Sequence, residues 1–303
     1  MPFRYWAAVA VLGCLWGTSF PLNAFLLQEL DPMSIAAARM LLGALGCWGF
    51  VLLSGRLRRI TLRQMAELTA FGIFTFTLPY LFFAYALQHI ASGMTGIING
   101  ATPALTVLVS HFWPGGERAT PQKSLGVLAG FAGIAVLTLP LLGSSQATAV
   151  WAVLLALGAP LTGAISINVV RRFRRLDHVV LVAVALTGGG LAVLPFALAW
   201  ESWPQALSLP GWSVLSMLGL VNTAAAFIVL YTLLPKVGVA NVSVSTLIAP
   251  PVSLVLGICL LGEPLHAEHL AGMAVILFGL LLIDGRLFRN TPKTGLLQDQ
   301  PDG

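Results

Sequence analysis

Ten stretches of about 20 mostly apolar residues succeed one another along this chain, at 6–27, 33–53, 68–87, 91–113, 124–142, 148–170, 179–199, 212–234, 238–261 and 268–285. Each has the length a helix needs to cross the hydrocarbon core of a bilayer. Backbone inside lipid has no water to bond to, so a spanning segment must be a helix or one strand of a closed barrel. Barrel strands are short and alternate apolar with polar residues, whereas these runs are long and continuously apolar. The expected fold is an all-α integral membrane protein of ten transmembrane helices. Charged residues make up 9% of the 303 and hydrophobic ones 57%. A soluble domain carries about 25% charged residues, so this chain cannot furnish a water-facing surface. The first run exceeds the apolar core of a signal peptide, about 7–15 residues, and lacks a small-residue cleavage site, so it is read as the first span.

The net charge of +5 points to topology rather than to nucleic acid. Arg4 precedes the first run, and Arg56, Arg58, Arg59 and Arg63 follow the second. Arg118 and Lys123 follow the fourth, Arg171, Arg172, Arg174 and Arg175 the sixth, and Arg286, Arg289 and Lys293 the tenth. These 14 of the 16 Lys and Arg residues fall on one side of the membrane, while Glu29, Asp31 and Glu201 lie on the other. Basic loops stay cytoplasmic, which predicts both termini in the cytoplasm of a multi-pass inner-membrane protein.

A stretch from Ala86 to Leu139 recurs from Leu233 to Ile283. Placing Pro103 on Pro250, an offset of 147, also pairs Gly72 with Gly219, Asn99 with Thr246 and Thr106 with Ser253. One residue of deletion later, Glu117 meets Glu263, Gly126 meets Gly272 and Gly133 meets Gly279. The reading is two homologous halves, 1–143 and 144–289, followed by a polar disordered tail, 290–303. Five spans per half is an odd number, so the second half enters the membrane from the opposite side. Such inverted repeats are a hallmark of secondary transporters, whose site lies near the midplane between them.

Trp16-Gly17-Thr18-Ser19-Phe20, Arg39, and the turns Gly116-Glu117 and Gly262-Glu263-Pro264 resemble the EamA-type drug/metabolite transporter superfamily. So do the glycine-spaced spans after those turns. The resemblance covers nearly the whole chain up to about Arg286. It implies ten helices around a central cavity, alternating access, and export of amino acids or other small metabolites. One branch that this chain resembles exports aromatic amino acids and the dication methyl viologen. The sixth run keeps only Gly158-Ala159 of the first run's motif, so a different contribution to the cavity is expected there.

Thr95, Asn99, Thr102, Thr106 and Ser110 fall on one stripe of a helix, and Ser243, Thr246, Pro250 and Ser253 on another. The expectation is that the two stripes face each other across a solvated cavity, with Asn99, Thr102 and Thr246 binding substrate. Pro103, Pro250 and Pro251 are expected to hinge their helices and free carbonyls for substrate. Small hydroxyl residues equally serve as glue between membrane helices. Trp16, Phe20, Tyr80, Phe83 and Tyr231 offer rings on which a cyclic or cationic substrate could stack, although aromatics also face lipid or form interfacial belts. Arg39 is the single basic residue inside a span. It has three open readings: a contact to a substrate carboxylate, a tie to backbone carbonyls, and snorkelling towards the rim.

No Asp or Glu lies in the core of any of the ten runs, Glu67, Glu268 and Asp284 falling at their edges, so carboxylate-based proton coupling is not expected, and a facilitator or exchanger is. The rivals are a proton-coupled drug or cation exporter and, from another class, a membrane enzyme. Glu263, His266, Glu268 and His269 are the one cluster on which an enzyme could be built; the bland reading is a polar turn leading into the last span. HExxH, GxSxG and Walker A patterns are absent from the sequence. Cys14, Cys47 and Cys259 sit in apolar runs without paired spacing, so neither a disulfide nor a metal site is expected. No cofactor is expected. The expected partners are a small-molecule substrate and the lipid bilayer.

Overall fold

The computed structural model describes residues 2–57, 59–142, 147–201 and 207–285. The expected tail and the expected junction between halves lie outside them. The described residues form helices and no strands.

The helices are α1 (Phe3–Leu26), α2 (Pro32–Leu53), α3 (Leu62–Leu87), α4 (Ser92–Asn99), α5 (Thr102–Phe112), α6 (Pro121–Leu142), α7 (Ala147–Val169), α8 (His178–Trp200), α9 (Leu209–Val237), α10 (Val239–Val242), α11 (Ser245–Leu261) and α12 (Ala267–Asp284). Eight of them are long and apolar enough to cross a membrane. The runs at 91–113 and 238–261 depart from the simple expectation, because each is split. α4 and α5 meet at Gly100 and Ala101, and α10 and α11 at Ser243 and Val244. Gly100 and Ala101 bond back to the carbonyls of Ile97 and Ile98 in tight turns. Pro103 has no N–H to offer the Asn99 carbonyl, and the Thr102 hydroxyl donates to it instead at 2.6 Å.

Local chemistry sets the other helix ends. Thr61 and Gln64 form a reciprocal capping box at the start of α3, and the Asp177 carboxylate accepts from the amides of Val179 and Val180 at the start of α8. Gly262 (φ 67°) and Gly285 (φ 73°) close α11 and α12 in the left-handed conformation that favours glycine.

α8 is apolar on every side, and its first half is buried accordingly. Val179 through Leu186 pack with Met40, Cys47 and Leu68 in one core shared by α2, α3, α8 and α9. A second core joins α4, α6, α7, α11 and α12 through Ile97, Ile134, Val153, Leu254 and Ile276. Close crossings rest on small residues. A Cβ on Gly126 of α6 would lie 2.6 Å from the Gly279 carbonyl oxygen of α12, and one on Gly17 of α1 as near the Ala249 carbonyl of α11. Facing outward are Leu125, Leu128, Phe131, Trp151, Leu154, Leu198 and Phe278, a girdle suited to acyl chains.

Carboxylates tie the ends of distant helices together. Glu201 accepts from the backbone amides of Met33 and Ser34 and from the Ser34 hydroxyl, at 2.7–2.8 Å. Glu263 accepts from the amides of Ser92 and Gly93 at 2.6 and 3.0 Å. Glu29 accepts from the amide and hydroxyl of Ser208 at 2.9 and 2.6 Å. Each carboxylate thus meets a positive helix N-terminus, and all three clasps sit at one end of the bundle. At the other end Arg56 pairs with Asp177, and Glu67 with Arg63 and Arg172.

Candidate substrate cavity

Between the two cores lies a cavity of about 390 Å³, within the size range of small-molecule sites. It runs from Asn23 and Phe83, about a turn from one end of their helices, to Val170 and Leu181 near the other end of the bundle. Eight aromatic residues line it: Trp16, Phe20, Phe71, Phe76, Tyr80, Phe83, Phe227 and Tyr231. Ser19, Asn23, Thr75, Asn99, Thr102, Ser166 and Asn222 supply polar groups, Arg39 supplies the charge, and no Asp or Glu is among the described lining residues.

Two widened stretches of helix aim much of this wall. α3 loosens to π geometry at Ile73–Thr77 and α9 at Met217–Ala225. A π turn inserts an extra residue and rotates the helix beyond it. The wall residues Thr75, Phe76 and Asn222 lie inside these turns. Within the second, the Thr223 hydroxyl donates to the Leu218 carbonyl five residues back, at 2.8 Å.

Arg39 does not snorkel. Its residue is 5% exposed; Nε donates to Thr223 Oγ1 at 3.0 Å and Nη2 to Ser19 Oγ at 3.3 Å. The guanidinium lies over the Tyr80 ring at 4.2 Å. Among the described residues no carboxylate pairs with it. Asn222 reaches the same hydroxyl from the other side, with Nδ2 donating to Ser19 Oγ, Thr18 Oγ1 and the Leu15 carbonyl at 3.2, 2.7 and 2.6 Å.

The rings form two short chains. Phe20 meets Phe83 edge to face at 5.1 Å. Phe76 contacts Phe227 edge to face at 5.3 Å, Phe227 lies parallel to Tyr231 at 6.3 Å, and Tyr231 stacks on His178 at 5.0 Å.

The structure brings Trp16, Phe20, Arg39, Tyr80, Phe83, Asn99, Thr102 and Tyr231 to the cavity. Thr246, Pro103, Pro250 and Pro251 are elsewhere. The Thr246 hydroxyl donates to the Ser243 carbonyl at 2.6 Å, and Pro250 is buried against the position of Gly100. The two expected stripes do not meet across the cavity, because Pro250 packs directly against Gly100 and Ser253 against Ser92 of α4. Within the first stripe Thr95 and Thr106 bond back to Ala91 and Thr102, and Ser110 pairs with Asn168. Glu263 is taken up in capping α4 rather than turned to His266 and His269.

Sequence reasoning offers Asn23 and Asn222, with Asn168 and Asn241, only as possible cavity donors or helix glue, and does not single out Ser19, Thr75 and Ser166 as cavity residues. A signal for them exists. Shifting the first-half wall by the 147 residues between Pro103 and Pro250 places Trp16 on Gly163, Ser19 on Ser166, Phe20 on Ile167 and Asn23 on Val170. It also places Thr75 on Asn222, Tyr80 on Phe227 and Phe83 on Leu230, and every member of these pairs lines the cavity. The sixth run therefore contributes through Gly163, Ser166 and Ile167, one turn beyond the Gly158-Ala159 pair. The motif is hidden there because Trp, Thr and Phe have become Gly, Ile and Ile.

A multi-span helical protein with an aromatic-walled cavity between its helices has the build of a membrane carrier. The comparison with known proteins agrees: the sequence matches the EamA-like transporter family twice, over residues 4–139 and 150–284. The chain belongs to that family. It is 26% identical over 283 residues to the uncharacterised transporter YvbV of Bacillus subtilis (strain 168), covering 91% of this chain and 90% of that one. It is 22% identical to a probable terminal-alkyne amino-acid exporter of Streptantibioticus cattleyicolor, with 93% of each chain covered. A solved crystal structure superposes with a TM-score of 0.68 at 21% identity, over 95% of this chain and all of that one, a likeness of fold.

Proposed function

We propose that this transporter exports small metabolites, amino acids above all and aromatic ones by preference, through alternating access of two inverted five-helix halves. The observation that carries the reading is the cavity wall itself, which contains seven pairs of positions related by one offset. Counting α4 with α5, and α10 with α11, as one broken crossing each makes ten crossings, five per half. Exchanging the halves then turns each main packing pair into another. α2 on α8 and α6 on α12 map onto themselves, α1 on α11 maps onto α7 on α5, and α2 on α9 maps onto α8 on α3. The π turns fall at equivalent places as well. Two copies that pack alike around a shared site can rock against each other and expose it to either side in turn.

Aromatic faces and hydroxyl and amide groups suit a ring-bearing amino acid, and the Streptantibioticus relative is named as an amino-acid exporter. A cationic drug is the poorer fit, since the cavity's charge is positive and lining carboxylates are lacking among the described residues. By the distribution of basic residues both termini are cytoplasmic and the membrane is the inner one.

The test is uptake of labelled aromatic, aliphatic and cationic amino acids into proteoliposomes without an imposed ion gradient. Saturable uptake of an aromatic member, lost in Asn99→Ala, supports the reading. Uptake that starts only with a proton or sodium gradient overturns the uncoupled mechanism, and failure of every amino acid overturns the substrate.

A further inference from the structure

Two polar groups in the cavity wall are left incomplete. Arg39 carries five N–H groups and spends two, on Thr223 and Ser19. Nη1 has no partner among the described residues. Tyr80 covers one face of the guanidinium plane, which leaves its edge for a ligand. A lone charge at membrane depth is costly, and nothing in the described wall neutralises it. Its counterpart under the 147-residue offset is Leu186, so the charge marks one half and makes the two ends of the cavity unlike. The second group is Asn222, 1% exposed, whose Oδ1 is buried without a hydrogen-bond partner among the described residues. Its Nδ2 is held by three acceptors, which fixes the amide and leaves the oxygen as an acceptor in want of a donor. Both groups touch the Ser19 hydroxyl, so they stand side by side.

We propose that Arg39 and Asn222 form a head-group site for an α-amino acid zwitterion, Arg39 taking the α-carboxylate and Asn222 Oδ1 the α-ammonium. This rests on the amino-acid reading given above. The carboxylate accepts from the free guanidinium edge, the strongest kind of neutral-pH hydrogen-bonded pair available to Arg. The ammonium on the neighbouring carbon donates to the amide oxygen, and the side chain is directed away from Arg39 along the rings. The site asks for both charges on one carbon and discriminates against ligands that lack either, because each omission leaves a buried polar group unpaired.

The test uses the wild-type protein in proteoliposomes and an analogue series in competition with labelled phenylalanine, or with whichever amino acid the panel shows to be carried. Phenylalaninamide lacks the carboxylate and 3-phenylpropionate lacks the ammonium. Each is expected to compete about 10- to 100-fold more weakly than phenylalanine. Arg39→Gln should narrow the gap between phenylalanine and its amide while leaving the propionate gap, and Asn222→Leu should do the reverse. If either variant does not fold, the wild-type series decides. An amide that competes as well as phenylalanine overturns the role of Arg39, and a propionate that does so overturns that of Asn222. Failure of the amino-acid reading looks different: no member of the series, the zwitterion included, is carried or competes, and the head-group site falls with it.

Discussion

Trp16 and its first-half neighbours show how one residue can divide the labour of a symmetric wall. Its counterpart Gly163 offers no ring, so at this pair of positions only the first half supplies aromatic surface. Trp16→Ala should raise KM for an aromatic amino acid about 3- to 10-fold, the loss of one ring contact, and raise it less for an aliphatic one; initial-rate uptake measures both. Thr102→Val tests a second residue. It strips the hydroxyl from the Asn99 carbonyl that Pro103 cannot serve, at a cost of about 1 kcal/mol for one hydrogen bond at a half-buried position, visible as a lower Tm in detergent. The proline was legible from sequence. The repair was not, since it depends on where a hydroxyl points after the helix has broken. Thr246 stays off the cavity wall, its hydroxyl bonded to the Ser243 carbonyl within its own turn.

At the scale of helices, the end of the bundle that holds Glu29, Glu201 and Glu263 is fastened by carboxylates on helix N-termini. Glu263→Ala should leave the Ser92 and Gly93 amides uncapped and cost about 1–2 kcal/mol, read as a drop in Tm. Glu29 behaves as a titrating clasp. The Ser208 hydroxyl, and then its amide, hold the carboxyl below its ordinary range. A lowered folded-state pKa gives stability that is present above the unfolded value and is lost as pH falls through the folded one. A pH series of Tm should therefore show wild type and Glu29→Gln converging on the acid side. Hydropathy located most of these elements to within a few residues. It missed the breaks in α4–α5 and α10–α11, because glycine, alanine and serine between apolar neighbours change the mean hydropathy little. The π turns escaped for the same reason, though they decide that Asn222 and Thr75 face the cavity.

Over the whole molecule, the rocking of two halves proposed above requires that the clasped end open. Ser34 and Glu201 lie on opposite halves and touch at 2.8 Å. With the native cysteines replaced, a protein carrying Ser34→Cys and Glu201→Cys should lose transport when treated with a short bifunctional thiol reagent and keep it when only one cysteine is present. Retained transport in the cross-linked protein would remove that end from the gating motion. The sequence by itself determined that the chain is helical and apolar enough for a membrane, and that it contains a repeat. These come from length, charge and periodicity, which act locally along the chain. Only the tertiary structure decided which repeated positions face a common space, that Arg39 is buried against Ser19, Thr223 and Tyr80, and that Asn222 stands beside it with an unspent oxygen. Those outcomes depend on where two helices cross and how far a π turn rotates them, and such long-range packing leaves no mark on composition.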